Sequence, residues 1–172
     1  MFLELIATFV AGFAAAGTMM AVHHLTGQRL PRWTTPTAAG AVMIFVAIWS
    51  EYTWYDRTVN NLPDGLAIAD VDEVQQFYRP WTYIAPMTNQ FSAVDVGTMR
   101  TNDDFPDKKI ADVYVMGRWR AVTSFPVLFD CGGNRRGLMS PEVDFTDEGD
   151  VTGVLWADVT TTDPMLSAAC SS

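Results

Sequence analysis

The sequence predicts a membrane protein: an N-terminal two-helix transmembrane hairpin followed by a small, mainly antiparallel β domain outside the bilayer. Three observations carry this. Leu5–Val22 is an unbroken run of 18 residues without a charge, close to the minimum for crossing a bilayer as a helix. Thr37–Ser50 is also uncharged, and its Trp- and Tyr-rich continuation to Tyr55 brings it to a similar length. From Leu66 onward, short runs rich in Val, Ile, Phe and Tyr are separated by turn residues, the pattern of strands. The expected division is a hairpin over 1–56 with helices at about 3–24 and 36–55, a linker over 57–65, and a β-rich domain over 66–172.

The first helix is rich in small residues. Ala7, Ala11 and Ala15 recur every four positions and make a smooth stripe, and the second helix offers Gly40 among Ala38, Ala39 and Ala41. Such surfaces let helices approach closely in lipid, where van der Waals contact replaces the hydrophobic drive. Phe9, Phe13, Met19, Met20, Met43, Ile44 and Phe45 are left to meet lipid or another protein. Trp49–Tyr55 reads as an aromatic belt at one membrane border, with Trp33 at the other. Glu4 and Glu51 fall at similar depth in an antiparallel hairpin. With Trp49 and Trp54 they form a candidate border contact to a partner protein. His23 and His24 invite a cofactor reading, but adjacent helical residues point about 100° apart and do not form a metal pair. At a helix end, neither needs a ligand.

Orientation follows from the basic residues. The loop between the helices holds Arg29 and Arg32 and no acid, whereas Arg57 beyond the second helix sits beside Asp56. The positive-inside rule then puts the loop in the cytoplasm and both termini on the periplasmic side of a bacterial inner membrane. The start, Met1-Phe2-Leu3-Glu4, lacks the basic n-region of a signal peptide, so the first segment is expected to be retained. Cys131 and Cys170 both fall in the exported part, where an even pair is most simply a disulfide. It would tie down an otherwise loose C-terminal tail.

Ahead of the β domain, Asn60–Gly65 is a turn-rich linker, and from Leu66 the pattern turns β-like through Leu66, Ile68, Val71 and Val74. Phe77–Met87 is aromatic and broken by Pro80 and Pro86, so it is not a helix interior. It either hugs the membrane surface, with Trp81 and Tyr83 at headgroup level, or caps the β core. Gln90–Thr98 alternates as a strand, and Asn102–Lys109 reads as an exposed charged loop. Ile110–Met116 and Ala121–Asp130 are strands joined through Gly117–Arg120, with Pro126 marking an edge or a bulge. Cys131–Asn134 turns the chain into Arg135–Met139. A last strand, Val151–Thr160, follows a turn at Asp147–Asp150. The sum is six or seven strands with little helix.

Charge narrows the function. The net charge is -9, and Arg57–Ser172 carries 9 Lys+Arg against 17 Asp+Glu. That excludes nucleic acid as a partner, since phosphate binding needs a cationic face, and permits a basic periplasmic protein such as a cytochrome c. Arg100–Arg136 holds seven basic residues and Glu142–Asp163 seven acids with no base. These segments either neutralise each other across strands or make two opposed faces.

Catalytic signatures are missing. The only histidines are His23 and His24, which removes a Ser–His–Asp triad and a Cys–His pair from the exported domain. There is no Cys-x-x-Cys and no phosphate-binding glycine loop. Cys131-Gly132-Gly133 resembles a nucleophile on a turn but has no base. Asp103-Asp104 and Glu148 with Asp150 suit exposed turns better than glycosidase acids. The scattered methionines suit packing better than copper. The expectation is a non-catalytic accessory subunit without a metal or cofactor. It would sit at the edge of a larger inner-membrane complex, respiratory or photosynthetic, in contact with lipid and other subunits. The alternative is a membrane-tethered periplasmic binding or assembly factor.

A reporter active only in the periplasm tests the orientation. Fused after Ser172 it should be active, and inserted at Gly27 it should be silent. The reverse pattern would overturn the orientation.

Overall fold

The computed structural model describes residues 2–141, 143–146 and 150–171, in two compact units, Met1–Arg57 and Thr58–Ser172. The turn expected at Asp147–Asp150 and the Glu148–Asp150 pair fall largely outside the described residues.

The first unit is built from α1 (Phe2–Leu25) and most of α2 (Thr34–Val59). At 1.5 Å per residue, the 24 residues of α1 span about 36 Å. Among the described residues, α1 alone is long and apolar enough to cross a membrane, and only 6 % of its apolar window is buried. α2 is as long but ends in the polar run Ser50–Arg57. The half-buried positions of α1, including Glu4, Thr8, Ala11, Ala15 and Met19, recur every three or four residues. Such spacing makes one helix face. Gly12 on this face is buried, and a Cβ there would lie 2.7 Å from Met43 Cγ, so the α2 methionine rests on the bare glycine. At the other end of the seam, Glu4 accepts from the Ser50 hydroxyl at 3.1 Å and pairs with Arg57 at 3.0 Å.

The second unit holds β1 (Leu66–Val74), β2 (Met87–Asp95), β3 (Arg100–Asn102), β4 (Phe105–Gly117), β5 (Thr123–Asp130), β6 (Arg135–Leu138), β7 (Asp144–Phe145), β8 (Val151–Thr152), β9 (Trp156–Asp158) and α3 (Pro164–Cys170). The main sheet is antiparallel in the order β1-β2-β4-β5-β6-β9, with β3 on β4, and β7-β8 form a separate ribbon. The expectation of a mainly antiparallel β domain is met.

The core lies beneath α3. Val94, Ala111, Val113, Val127 and Phe129 share a sheet face, and Leu166 and Ala169 of α3 pack on it. Phe91, Ala93 and Leu128 are buried as well. Phe91 stands opposite Met116 and Ala93 opposite Tyr114 in the register, one residue out of step with Val94 opposite Val113, so they belong to the other face.

Four expectations need correction. Asn102–Lys109 is not a loop: the turn is confined to Asp103-Asp104, and Phe105–Lys109 opens a 13-residue strand flanked by β3 and β5. Its lysines are held, Lys109 by the Ala169 carbonyl at 3.1 Å and Lys108 by Asp150. Val151–Thr160 is not one strand, because Gly153 at φ +76° breaks it between β8 and β9. The C-terminal tail is a capped helix: the Asp163 carboxylate accepts from the Leu166 N–H, and Pro164 occupies the first turn. Pro126 lies in an interior strand, paired with Asp112. Its carbonyl receives the Met139 N–H just beyond the end of β6. Its missing donor faces that same side, where the ladder has already stopped.

Cys131, after β5, is joined to Cys170, the last residue of α3, with Cα atoms 5.8 Å apart. The bridge spans 39 residues and fixes the helix to the sheet it covers. Both cysteines should resist alkylation until a reductant is added. Cys131→Ser, Cys170→Ser and the double variant should each lose about 2–4 kcal/mol of unfolding free energy, the double no more than either single. Ready alkylation of the native, unreduced protein would refute the pairing.

Candidate functional site

Two surfaces gather the residues singled out in the sequence. The first is the helix pair. Ala11 and Ala15 are half-buried on the seam facing α2, whereas Ala7 is exposed at the flank of the seam and Leu5, Ile6, Phe9, Val10 and Phe13 are exposed on the outer face. The stripe is therefore divided between two roles. At Gly12, not singled out in the sequence, the Met43 side chain of α2 fills the space where a Cβ would lie. Gly40 is half-buried, and a Cβ there would meet nothing within 4 Å. The hydroxyls of these helices are satisfied locally: Thr8 donates to Glu4 O and Thr18 to Ala14 O at 2.8 Å, and Thr53 to Trp49 O at 2.9 Å.

At the expected membrane border the residues differ in exposure. Trp49 is exposed, Trp54 is buried and Glu51 is intermediate. Glu4 is engaged inside the helix pair by Arg57 and Ser50. Trp33 is exposed, as is His24, and His23 is intermediate.

The second surface is the β domain. The oppositely charged segments neutralise each other in part, through Lys108 with Asp150 and Arg136 with Asp163 at 3.5 Å. Asp130, at the end of β5, is buried and paired with Arg135. Burial alone would raise its pKa. The Gly133 N–H donating at 2.8 Å and the Arg135 guanidinium outweigh burial, and the carboxyl titrates below its ordinary 3.8. Gly133 is required here, since a Cβ would lie 2.5 Å from the Asp130 carboxylate. Asp150 is lowered too, chiefly by its hydrogen bond from Lys108 and then by the Val151 N–H. Because Cys131 is bonded to Cys170, the Cys-Gly-Gly turn holds no free thiol. Among the described residues, no three His, Cys, Asp or Glu side chains are grouped to hold a metal ion.

An apolar cavity of about 520 Å³ opens beside β5 and β6, lined by Phe125, Leu138, Leu155 and Met165, with Arg136 at its wall. At the opposite end of β4 from its turn with β3, the segment between β1 and β2 projects Phe77, Tyr78, Trp81, Tyr83 and Ile84 into solvent. Of the two alternatives read from the sequence, a cap on the β core does not match this exposure. Its shape is set by Thr82, fully buried, whose hydroxyl accepts from the Gln76 N–H at 2.9 Å and donates to Arg79 O at 2.7 Å.

The lowered pKa of Asp130 sets a pH dependence. A carboxylate depressed in the folded state stabilises the fold above its unfolded pKa of about 3.8, and that stability is lost as pH falls through the folded value. Thermal unfolding should therefore shift downward as pH is lowered from about 5 toward about 2. Asp130→Asn should cost about 1–3 kcal/mol at neutral pH, because Arg135 loses its carboxylate, and should flatten this fall. An unchanged acid profile in Asp130→Asn would count against the assignment.

Compared with known protein families, curated proteins and solved structures, the chain has no match.

Proposed function

We propose that the protein is a non-catalytic accessory subunit held in an inner membrane by α1 and α2, at the edge of a larger complex, with its β domain on the periplasmic side. The observation that carries this reading is the outer face of α1. Leu5, Ile6, Phe9, Val10 and Phe13 are all exposed along a helix long enough to span a bilayer. In water such a face would drive association. In lipid it is at home, and the internally bonded hydroxyls leave few polar groups to solvate there. α2, with its polar end, completes the hairpin as the second span. Two helices enclose no pore, so the outward surface serves attachment. Energy-transducing complexes suit it as hosts, because basic cytochromes c work on the side where this domain carries its acidic excess.

A second reading is favoured by the cavity beside β5 and β6. A tethered periplasmic binding or assembly factor would use that apolar, arginine-walled space to hold a client segment or an amphipathic molecule.

Purification in mild detergent followed by mass spectrometry separates the two. A subunit brings stoichiometric partners; an assembly factor brings transient, substoichiometric ones. Ala7→Leu adds bulk at an exposed position beside the seam. It should reduce co-purification of the host severalfold while the Cys131–Cys170 bridge stays intact. Ala11→Leu, on the seam, should disturb the helix pair itself, as overpacking costs about 1–3 kcal/mol. If Ala7→Leu co-purifies normally and deletion of the β domain abolishes binding, the periplasmic surface is the interface and the second reading gains.

A further inference from the structure

We infer that the exposed aromatic end of the β domain is a lipid-contact surface that inserts into the headgroup layer of a membrane carrying anionic lipid. Two segments converge there. One is the connection from β1 to β2, with Phe77 at 84 % and Ile84 at 90 % exposure and Tyr78, Trp81 and Tyr83 beside them. The other is the β4–β5 turn, with Trp119 exposed. The Arg118 N–H donates to Asn89 O at 3.1 Å, and Gly117 pairs with Gln90, so the turn lies against the start of β2 where the first segment ends.

The charge of this end singles out the occupant. Residues 75–94 and 117–126 contain three arginines and no Asp or Glu, in a unit with 17 acids; Arg120 is exposed, Arg79 half-buried and Arg118 buried. The nearest acids in the sheet, Asp72 and Glu73, lie at the end of β1, opposite Gln90 and Thr88. The rest of the unit holds 17 acids against five Lys and Arg, so this end is a part that an anionic surface attracts. Arg79 lies 5.6 Å from the centre of the Tyr78 ring and Arg118 5.3 Å from that of Trp119. Arg118 is held inside the domain, whereas Arg79 beside the exposed Tyr78, with the exposed Arg120, suits a layer that is half apolar and half charged. A protein partner of ordinary affinity requires a shaped face. Here the apolar side chains radiate from a short 3-10 turn, Pro80–Tyr83, braced from within by Thr82. A fixed turn with splayed Trp, Tyr, Phe and Ile matches a fluid surface better.

This inference rests on the membrane-anchored reading above, and the test keeps the two apart. Ile84→Cys, Phe9→Cys and Asp103→Cys variants of the full chain, labelled with a nitroxide without reduction so that the native bridge stays closed, are placed in nanodiscs of phosphatidylcholine with phosphatidylglycerol. Accessibility to oxygen is compared with accessibility to a water-soluble nickel chelate. Residue 84 should favour oxygen severalfold over residue 103, which sits in the β3–β4 turn. The preference should shrink severalfold when Arg120→Glu is added or phosphatidylglycerol is left out. If residue 9 favours oxygen but residue 84 is as aqueous as residue 103, the lipid-contact surface is refuted while the anchor stands, and a protein partner becomes the occupant. If residues 9 and 84 are both aqueous, both readings fail.

Discussion

Phe91, Ser92, Ala93 and Val94 are buried in succession, so β2 must be covered on both of its faces. β5 makes the same demand from Val127 to Asp130. On one face the cover is α3, a helix of seven residues that could not persist alone in water. Its start is capped by Asp163, its middle is anchored by Leu166 and Ala169, and its end is bonded to Cys131. Cap, core and bridge therefore act on a single small element. The Lys109 side chain adds a hydrogen bond to the Ala169 carbonyl near the helix end.

Much of the fold was legible because strands announce themselves by composition. The β pattern from Leu66, the strands Ile110–Met116 and Ala121–Asp130 and the Cys131–Cys170 pair were readable from local pattern. The errors share a cause. Phe105–Lys109 looked like a loop because its charges are dense, and charge density does not reveal that neighbouring strands and partners will hold them. Val151–Thr160 looked continuous because an interior glycine is silent until a positive φ is needed. The helix at the end was signalled, by Asp163 before Pro164, but a seven-residue segment carries too little periodicity to compete with the expectation of a tail.

The candidate surfaces were legible unevenly. The small-residue stripe of α1 was visible in sequence, yet which members face α2 depends on the angular position of each residue around the helix. That is why Ala7 and Ala11 part company and Gly12 takes the close contact. The meeting of the β4–β5 turn with the aromatic segment could not be read at all. It depends on the sheet register, which sets Gln90 against Gly117 across more than twenty residues of chain.

The ion pair of Glu4 with Arg57 has a consequence for biogenesis. The two residues are 53 apart in the chain. At a synthesis rate of about 5–20 residues per second, Glu4 is made roughly 3–10 s before its cation. During that interval the nascent N-terminus carries an acid with no counter-charge from Arg57. The pair can close only when the whole of α1, the connecting loop and nearly all of α2 have been synthesised. The contact is therefore among the last that the helix pair acquires: a ribosome-bound intermediate holding α1 alone is a different electrostatic object from the finished pair.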